Sequence, residues 1–202
     1  MKGMGVNPFT TKIFIISGPS GSGKTTVIQE LLRNEQVRNR ICKTISYTTR
    51  RPRQGERDGE DYCFVSAGYF KKMIRRGFFL EWKRVLQNYY GTPRSYVAKA
   101  RKERKHLLLC IDVKGALQVK DDRPKETVLI FIMPPSKTEL RRRLKKRTTE
   151  TPQEIRKRLS LAEKEIKMAK KYDYCIINDT LKSTVSLLEH IYIAEQYRRW
   201  TI

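Results

Sequence analysis

Residues 13–25 read Ile-Phe-Ile-Ile-Ser-Gly-Pro-Ser-Gly-Ser-Gly-Lys-Thr, an apolar run followed directly by a glycine-rich turn. The turn, Gly18 to Thr25, fits the spacing G-x-x-x-x-G-K-[ST]. Its glycines let backbone N–H groups point inward, and a helix beginning near Gly23 would aim its positive end at the same place. Because Val27 and Leu31 continue at helical spacing, the stretch predicts a phosphate-binding loop between a buried strand and a helix.

This loop predicts roles for its own side chains. Lys24 is expected to reach the β- and γ-phosphates of a nucleoside triphosphate, and the Thr25 hydroxyl to hold Mg²⁺. The predicted ATP contacts in the loop are Gly18, Pro19, Ser20, Gly21, Ser22, Gly23, Lys24, Thr25 and Thr26. The loop predicts triphosphate binding but leaves the acceptor open.

The composition favours a single basic domain. A chain of 202 residues can bury one full core, and its net charge is +23. Such a surface attracts polyanions of every kind, including nucleic acid, anionic membrane and free nucleotides. A phosphate-rich active site produces the same balance, so the charge predicts no specific nucleic-acid partner.

Cysteine and histidine usage favours a reducing compartment and histidines that bind no metal. The four cysteines have no C-x-x-C spacing and are expected to be reduced, buried small hydrophobes; they are Cys42, Cys63, Cys110 and Cys175. His106 and His190 have no ligand-spaced partners and are expected to be structural or surface residues. No stretch approaches the ~18 apolar residues of a membrane helix, so the prediction is a cytoplasmic protein without membrane association.

Short apolar runs alternate with helical patterns along the chain. Runs that do not alternate with polar residues predict strands covered on both faces, as in a parallel sheet between helices. The runs are Ile13–Ile16, Cys42–Ser46, Leu107–Ile111, Val128–Ile132 and Tyr174–Ile177. Helices are predicted from Glu154 to Ala169, with Pro152 and Thr151 as first residue and cap, and from about Leu181. Together they predict an α/β three-layer fold of the P-loop kinase type.

Two stretches interrupt that rhythm. Residues 48–93 are rich in Gly, Arg and aromatics and are too long for a connecting loop, which predicts an inserted subdomain. Residues 137–158 are dominated by basic side chains with Leu140 and Leu144 as anchors, which is typical of a mobile lid. The predicted division of the single domain, 1–202, is a core of 12–45, 93–136 and 159–202, an insert of 46–92 and a lid of 137–158.

The inserted stretch carries an ordered series of motifs. Ser46-Tyr47-Thr48-Thr49-Arg50-Arg51-Pro52-Arg53 is followed by Gly59-Glu60-Asp61-Tyr62, Phe79-Leu80-Glu81-Trp82 and Asn88-Tyr89-Tyr90-Gly91-Thr92-Pro93. Ile111-Asp112-Val113-Lys114-Gly115, Arg143 with Arg147, Arg156-Lys157-Arg158-Leu159-Ser160 and Ile177-Asn178-Asp179 come later. In that order and spacing, the chain closely resembles guanylate kinase from about Ile13 to its last helix.

The resemblance implies Mg²⁺-dependent transfer of a phosphoryl group from ATP to GMP, giving ADP and GDP in purine metabolism. It implies that Arg50, Arg53, Tyr62 and Tyr90 grip the GMP phosphate and that Ser46, Glu81 and Thr92 read the base. It places Asp112 near the metal and the acceptor, Arg143, Arg147 and Arg158 on the transferring group with Lys24, and Asn178 near the adenine. Oligomeric state and the choice between GMP and dGMP stay open.

The chemistry of these side chains agrees with the implied roles. Planar guanidinium forks match a phosphomonoester dianion, so Arg50 and Arg53 make a plausible clamp. The guanine edge presents two donors beside an acceptor, which suits the Glu81 carboxylate together with hydroxyl groups. Adenine would meet the same carboxylate with an acceptor, and such a mismatch costs about 1–3 kcal/mol or more.

Other readings stay open at this point. A non-catalytic interaction module would not need Lys24 or the lid arginines, another acceptor such as a ribose bisphosphate would not need the base-reading set, and a nucleic-acid-binding ATPase rests on charge alone. Taken by itself, Glu81 could be a surface carboxylate with Trp82 as its core neighbour. The chain also departs from the family pattern, with Cys110 at an often acidic position and Tyr47 at an often small one.

Overall fold

The computed structural model describes residues 9–85, 87–145 and 152–198. Its elements, in chain order, are β1 (Ile13–Ser17), α1 (Lys24–Leu31), α2 (Glu35–Arg40), β2 (Ile41–Lys43), β3 (Ser46–Thr48), β4 (Tyr62–Phe64), α3 (Ala67–Arg75), β5 (Phe79–Val85), β6 (Asn88–Pro93), α4 (Ser95–Lys102), β7 (His106–Cys110), α5 (Val113–Asp122), β8 (Thr127–Met133), α6 (Lys137–Lys145), α7 (Pro152–Lys167), β9 (Tyr174–Ile177) and α8 (Leu181–Tyr197).

The core of the molecule is a parallel sheet covered by helices on both faces. Five strands pair in the order β2-β7-β1-β8-β9, and every pairing among them is parallel. One face packs Phe14, Ile16 and Ile130 against α1 and α8, and the other packs Ile15 and Leu109 against α4 and α5. The non-alternating apolar runs arise from this two-sided burial, and the predicted α/β fold with a parallel central sheet is confirmed.

One predicted strand is wrong. The run Cys42–Ser46 was expected as a single strand, but β2 ends at Lys43 and β3 begins at Ser46, in a different sheet. Thr44 still donates its N–H to Leu108 O at 3.0 Å, and the chain then leaves the core sheet. The apolar pattern does not reveal this change of sheet, because both short strands have buried or half-buried residues.

The second sheet has four strands in the order β4-β3-β6-β5 and is built from residues 46–93. Its back face packs on α3, where Phe79 stacks on Phe70 with ring centroids 4.5 Å apart. Gly91 lies under these rings, since an added Cβ there would meet Phe79 Cδ1 at 2.8 Å. The sheet is therefore fixed on one side by a small aromatic core.

The front face of the second sheet is polar. Successive side chains on a strand alternate between its two faces, so the aromatic side chains of the back face leave polar ones on the front. Opposed pairs across the strands are Glu81 with Thr92, Lys83 with Tyr90, Thr48 with Tyr90, and Ser46 with Tyr62. Opposed residues point to the same side, so these side chains share one face. This face looks toward α5, which contacts β5.

Helices α6 and α7 pair beside the glycine-rich loop. Leu140 and Leu144 of α6 are buried with Ala162 of α7. An added Cβ at Gly21 would meet Leu140 Cδ1 at 3.1 Å, so α6 lies against the loop. Helix α7 continues through the predicted lid boundary at 158, and Thr151, the predicted cap, lies outside the described residues. The division into core, insert and lid stays a prediction.

The predicted structural role of His106 is confirmed. Its ring is 4% exposed, and Nδ1 accepts a hydrogen bond from the Lys12 backbone N–H at 3.1 Å. Next to it Lys12 Nζ pairs with Glu195 Oε2 at 2.8 Å, and Glu195 also accepts from the Tyr174 hydroxyl at 2.7 Å. The start of the described chain is thus tied to α8 by buried polar contacts.

The prediction that all four cysteines are buried is wrong for Cys175, which is exposed. Cys175 lies on the edge strand β9, where its side chain is on the opposite face of the strand from the buried Ile176. Cys42 is buried as expected, and Cys63 and Cys110 are half-buried. Among the described helices, none has the length and apolarity required to cross a bilayer.

Candidate active site

The glycine-rich loop is shaped by backbone conformations that glycine adopts readily. Gly18 has φ of 144° and Gly23 has φ of 95°. A Cβ at Gly18 would run into the Ile132 carbonyl, and one at Gly23 would run into the Asn178 amide. Gly23 also caps α1, so the loop leads directly to the positive end of that helix. The loop can bend round a phosphate only because side chains are absent at these positions.

Lys24 lies across this loop. Its Nζ donates to Gly18 O at 2.6 Å and to Pro19 O at 2.9 Å. The ammonium is therefore held directly over the loop backbone, where it can exchange carbonyl contacts for phosphate contacts. Thr25 is exposed in the first turn of α1, and its hydroxyl is a hard oxygen donor of the kind Mg²⁺ prefers.

Asn178 holds the loop from behind. Its Nδ2 donates to Ser22 O at 2.7 Å, and its Oδ1 accepts from the Thr184 hydroxyl at 3.0 Å. The side chain is buried, at 6% exposure, and joins the loop to the first turn of α8. Both the nitrogen and the oxygen of the Asn178 side-chain amide form hydrogen bonds within the protein. Contact between Asn178 and an adenine ring therefore stays a prediction.

Two of the three predicted lid arginines reach the loop. Arg143 Nη1 donates to Ser22 O at 3.4 Å, and Arg158 Nη1 donates to Ser20 Oγ at 3.2 Å. Arg143 is held by Glu139, which accepts from its Nε at 2.7 Å. Hydrogen bonds from Arg142 and Arg143 lower the pKa of Glu139 to about 2, so its carboxylate stays charged. Arg147 lies outside the described residues.

The predicted base-reading residues form one hydrogen-bonded chain. Ser46 Oγ is 3.1 Å from Thr92 Oγ1, and Thr92 Oγ1 donates to Glu81 Oε1 at 2.7 Å. Glu81 is 3% exposed whereas Trp82 is 41% exposed, which contradicts the alternative of a surface carboxylate beside a core tryptophan. Burial raises the pKa of Glu81, opposed by the Thr92 hydrogen bond and the charge of Lys83.

The predicted phosphate clamp is assembled around Arg50. Its guanidinium carbon lies 5.4 Å from the centre of the Tyr62 ring, and the Tyr62 and Tyr90 rings are 6.1 Å apart. Burial raises the pKa of Tyr62 to about 12, so its hydroxyl remains a donor at neutral pH. The Arg53 side chain is exposed at the edge of this group.

Glu56 contacts both arginines of the predicted clamp, and sequence reasoning missed it. Its Oε1 pairs with Arg50 Nη2 at 2.8 Å, and its Oε2 accepts from the Arg53 backbone N–H at 2.8 Å. A carboxylate thus occupies the donors proposed for a phosphate. The available signal for Glu56 was a turn in which its backbone N–H donates to Arg53 O at 3.0 Å. Such a turn brings the residue three positions after Arg53 back toward the arginines.

Asp112 joins the front of the second sheet to the core. It caps α5, since its Oδ1 accepts from Gly115 N at 3.0 Å, and its Oδ2 pairs with Lys83 of β5. Lys83 was not predicted as a site residue, although its spacing of two from Glu81 places both on one strand face. Cys110, at the end of β7, has its pKa raised by burial, with Lys24 and Lys43 acting in the opposite direction.

Comparison with known proteins identifies relatives across nearly the whole chain. The family model described as guanylate kinase matches residues 10–195. The chain is 46% identical over 186 residues to the guanylate kinase of Caldanaerobacter subterraneus subsp. tengcongensis, covering 92% of this chain and 88% of that one. It is 45% identical to the guanylate kinase of Clostridium tetani, covering 92% and 87%. The crystal structure of guanylate kinase from Anaplasma phagocytophilum superposes with a TM-score of 0.78 at 34% identity, covering 94% and 88%.

Proposed function

The chain belongs to the guanylate kinase family and phosphorylates GMP to GDP with ATP, and we propose that the residues described above carry out this transfer. The observation that carries the assignment of roles is the Ser46–Thr92–Glu81 chain, which sets hydroxyls and a buried carboxylate side by side. The same sheet face leads through Tyr90 toward the arginine clamp.

ATP is proposed to bind on the glycine-rich loop. Backbone N–H groups and the positive end of α1 would bind the β- and γ-phosphates, and Lys24 would turn from the Gly18 and Pro19 carbonyls to the phosphate oxygens. Asn178 would keep Ser22 in place while the loop is loaded.

GMP is proposed to bind on the front face of the second sheet. Glu81 would accept from the two guanine donors, and the Ser46 and Thr92 hydroxyls would serve the remaining polar edge. Arg50 and Arg53 with the Tyr62 and Tyr90 hydroxyls would hold the phosphate, which replaces Glu56 as the partner of Arg50.

Arg143 and Arg158 are proposed to neutralise charge on the group in transfer, since both already touch the loop. The predicted third arginine, Arg147, belongs to the same proposal on sequence grounds. No general base is required, because the attacking phosphate oxygen of GMP is already ionised. Positioning and charge neutralisation then supply most of the rate, and closure of residues 137–158 would exclude water.

Mg²⁺ is proposed as the metal that accompanies ATP. The exposed Thr25 hydroxyl beside Lys24 fits it, because oxygen ligands and substrate phosphates are its usual partners. The ion would neutralise phosphate charge during transfer. A cytoplasmic location, and the absence of a specific nucleic-acid or membrane partner, belong to the proposal as well.

Replacement of the loop lysine tests these roles. Lys24→Ala should reduce turnover by at least about 100-fold while GMP binding, followed by calorimetry, changes less than about threefold. The fold should persist because Lys24 contacts loop carbonyls and not the apolar core. Near-normal turnover in the variant would remove Lys24 from the reaction, whereas loss of GMP binding would show that the loop and the acceptor site are not separate.

A further inference from the structure

Lys83 is a half-buried cation in the acceptor site to which the proposed transfer assigns no role. Its side chain is 17% exposed, and it lies two residues from Glu81 on β5, opposite Tyr90 of β6. The strand rises about 3.4 Å per residue, so Lys83 lies roughly 7 Å along β5 from the base-reading carboxylate and beside the phosphate clamp. It therefore lies alongside the stretch a nucleoside monophosphate would cover.

The Lys83 ammonium meets a carboxylate that is already fixed on its other oxygen. Asp112 Oδ1 accepts from Gly115 N at 3.0 Å, and Oδ2 faces Lys83 Nζ. The two contacts come from different parts of the fold, since Gly115 is in α5 of the core and Lys83 is in β5 of the second sheet. Together they define the rotation of the Asp112 side chain.

Burial disfavours the ionised form of Lys83, and nearby carboxylates offset part of that effect. Burial lowers the pKa of Lys83 to about 8, while Glu81 and Glu165 of α7 act to raise it and Lys114 acts to lower it. The ammonium is therefore mostly protonated at neutral pH. Burial raises the pKa of Glu165, and the charges of Lys24 and Lys83 both act to lower it.

We propose that Lys83 is a positioning residue for phosphoryl transfer, which acts by holding Asp112 Oδ2 in the cleft between the second sheet and α5. The proposal rests on the acceptor site described above. With Lys83 in place, Asp112 presents a fixed carboxylate toward the acceptor nucleotide, and the paired cation offsets the repulsion between that carboxylate and the substrate phosphates. Without the Lys83 ammonium, the Asp112 side chain keeps its hydrogen bond to Gly115 N but can rotate about that bond. The charge of the Asp112 carboxylate is then uncompensated.

A double-mutant cycle tests whether Lys83 works through Asp112. Lys83→Met keeps the apolar stem and removes the charge, and it should lower kcat by about 10-fold while the KM for ATP changes less than about twofold. Asp112→Asn should lower kcat as well, and adding Lys83→Met to it should cost less than about twofold more. Lys83→Arg, which retains the charge, should recover kcat to within about threefold of wild type.

The neighbouring Arg84 supplies the matched control. It lies on β5 with its exposed side chain on the opposite face, so Arg84→Met removes a cation from the same strand and should change kcat less than about twofold. Additive losses in the cycle, or a Lys83→Met enzyme with wild-type kcat, would overturn the proposal. Should Lys83→Met fail to fold by thermal melting, Lys83→Gln replaces it in the cycle with the same criteria. A wild-type enzyme inert toward GMP would instead contradict the function itself.

Discussion

At the scale of single residues, Glu81 is the group on which we propose that base choice chiefly depends. Glu81→Gln keeps the shape and one acceptor but places an NH₂ against a guanine donor. We expect kcat/KM for GMP to fall by roughly 30- to 1000-fold, about 2–4 kcal/mol, and the GMP/AMP ratio to narrow. The measurement is kcat/KM for both nucleotides at saturating ATP. A loss of less than about threefold with an unchanged ratio would place base reading elsewhere, and Glu103→Gln, distant from the site, is the control.

Substitution of Arg50 tests the proposed phosphate clamp. Its guanidinium bonds Glu56 through Nη2 and the Arg51 carbonyl through Nη1, and this forked geometry cannot be reproduced by an ammonium. Arg50→Lys should therefore raise the KM for GMP by about 10-fold or more and leave the KM for ATP almost unchanged. Initial rates with each substrate varied in turn give both constants. An unchanged KM for GMP would exclude Arg50 from the site.

The motifs predicted the hydroxyls, tyrosines, carboxylates and arginines that the structure brings together in the candidate site, but they did not point to Glu56 or Lys83. Both missed residues act through tertiary contacts. Glu56 depends on a turn folding back on Arg50, and Lys83 on a helix from elsewhere in the chain arriving at β5. The local signals, a turn after Arg53 and a spacing of two from Glu81, do not show which partner either side chain contacts.

At the scale of elements, the junction between the loop and α1 depends on Gly23. Gly23→Ala puts a Cβ into the Asn178 amide at a φ of 95°, so Asn178 must release Ser22 or the loop must shift. We expect ATP affinity to fall by about 10-fold or more and the free energy of unfolding to fall by about 1–3 kcal/mol.

The matched control for that substitution is Gly68→Ala in α3. No neighbour lies within 4 Å of a Cβ at Gly68, and its backbone is helical. This change should leave ATP affinity unaltered and stabilise the fold by up to about 1 kcal/mol. Equal effects of the two substitutions on ATP affinity, measured by calorimetry, would contradict the account of the loop.

Element boundaries were predicted well where burial is two-sided and poorly where the chain changes sheets. β1, β8 and β9 match their apolar runs to within a residue at each end, because each lies in the interior or along one edge of a single parallel sheet. The prediction of one strand over Cys42–Ser46 was wrong because an apolar pattern indicates that residues are buried but not in which sheet they lie. Helix α7 begins at Pro152, the residue predicted as its first, and ends at Lys167, two residues before the predicted Ala169.

At the scale of the whole molecule, His106 couples stability to pH. Burial, together with the charges of Lys12 and Arg40, lowers its pKa from 6.5 to about 4. Between these pH values the unfolded chain binds a proton at His106 that the folded protein does not bind. The free energy of unfolding is therefore highest above pH 6.5 and declines as the pH falls toward 4. This group alone should lower the free energy of unfolding by about 2 kcal/mol from about pH 7 to about pH 5.

Urea unfolding of His106→Gln measures that contribution. The variant should lose this part of the pH dependence, whereas His190→Gln, at an exposed position, should retain the wild-type dependence. Identical pH dependence in His106→Gln and wild type would show that His106 is not held neutral in the folded protein.

We propose that this chain joins a triphosphate-binding loop to a site that selects guanosine monophosphate. The most direct measurement is ADP release from ATP and Mg²⁺ with GMP, AMP, CMP or UMP as acceptor, each across a full range of concentrations. We expect efficient turnover with GMP and a kcat/KM at least about 100-fold lower for each of the others, because only guanine offers two donors to the buried Glu81 carboxylate. Comparable turnover with AMP, or ADP release independent of any acceptor, would contradict it.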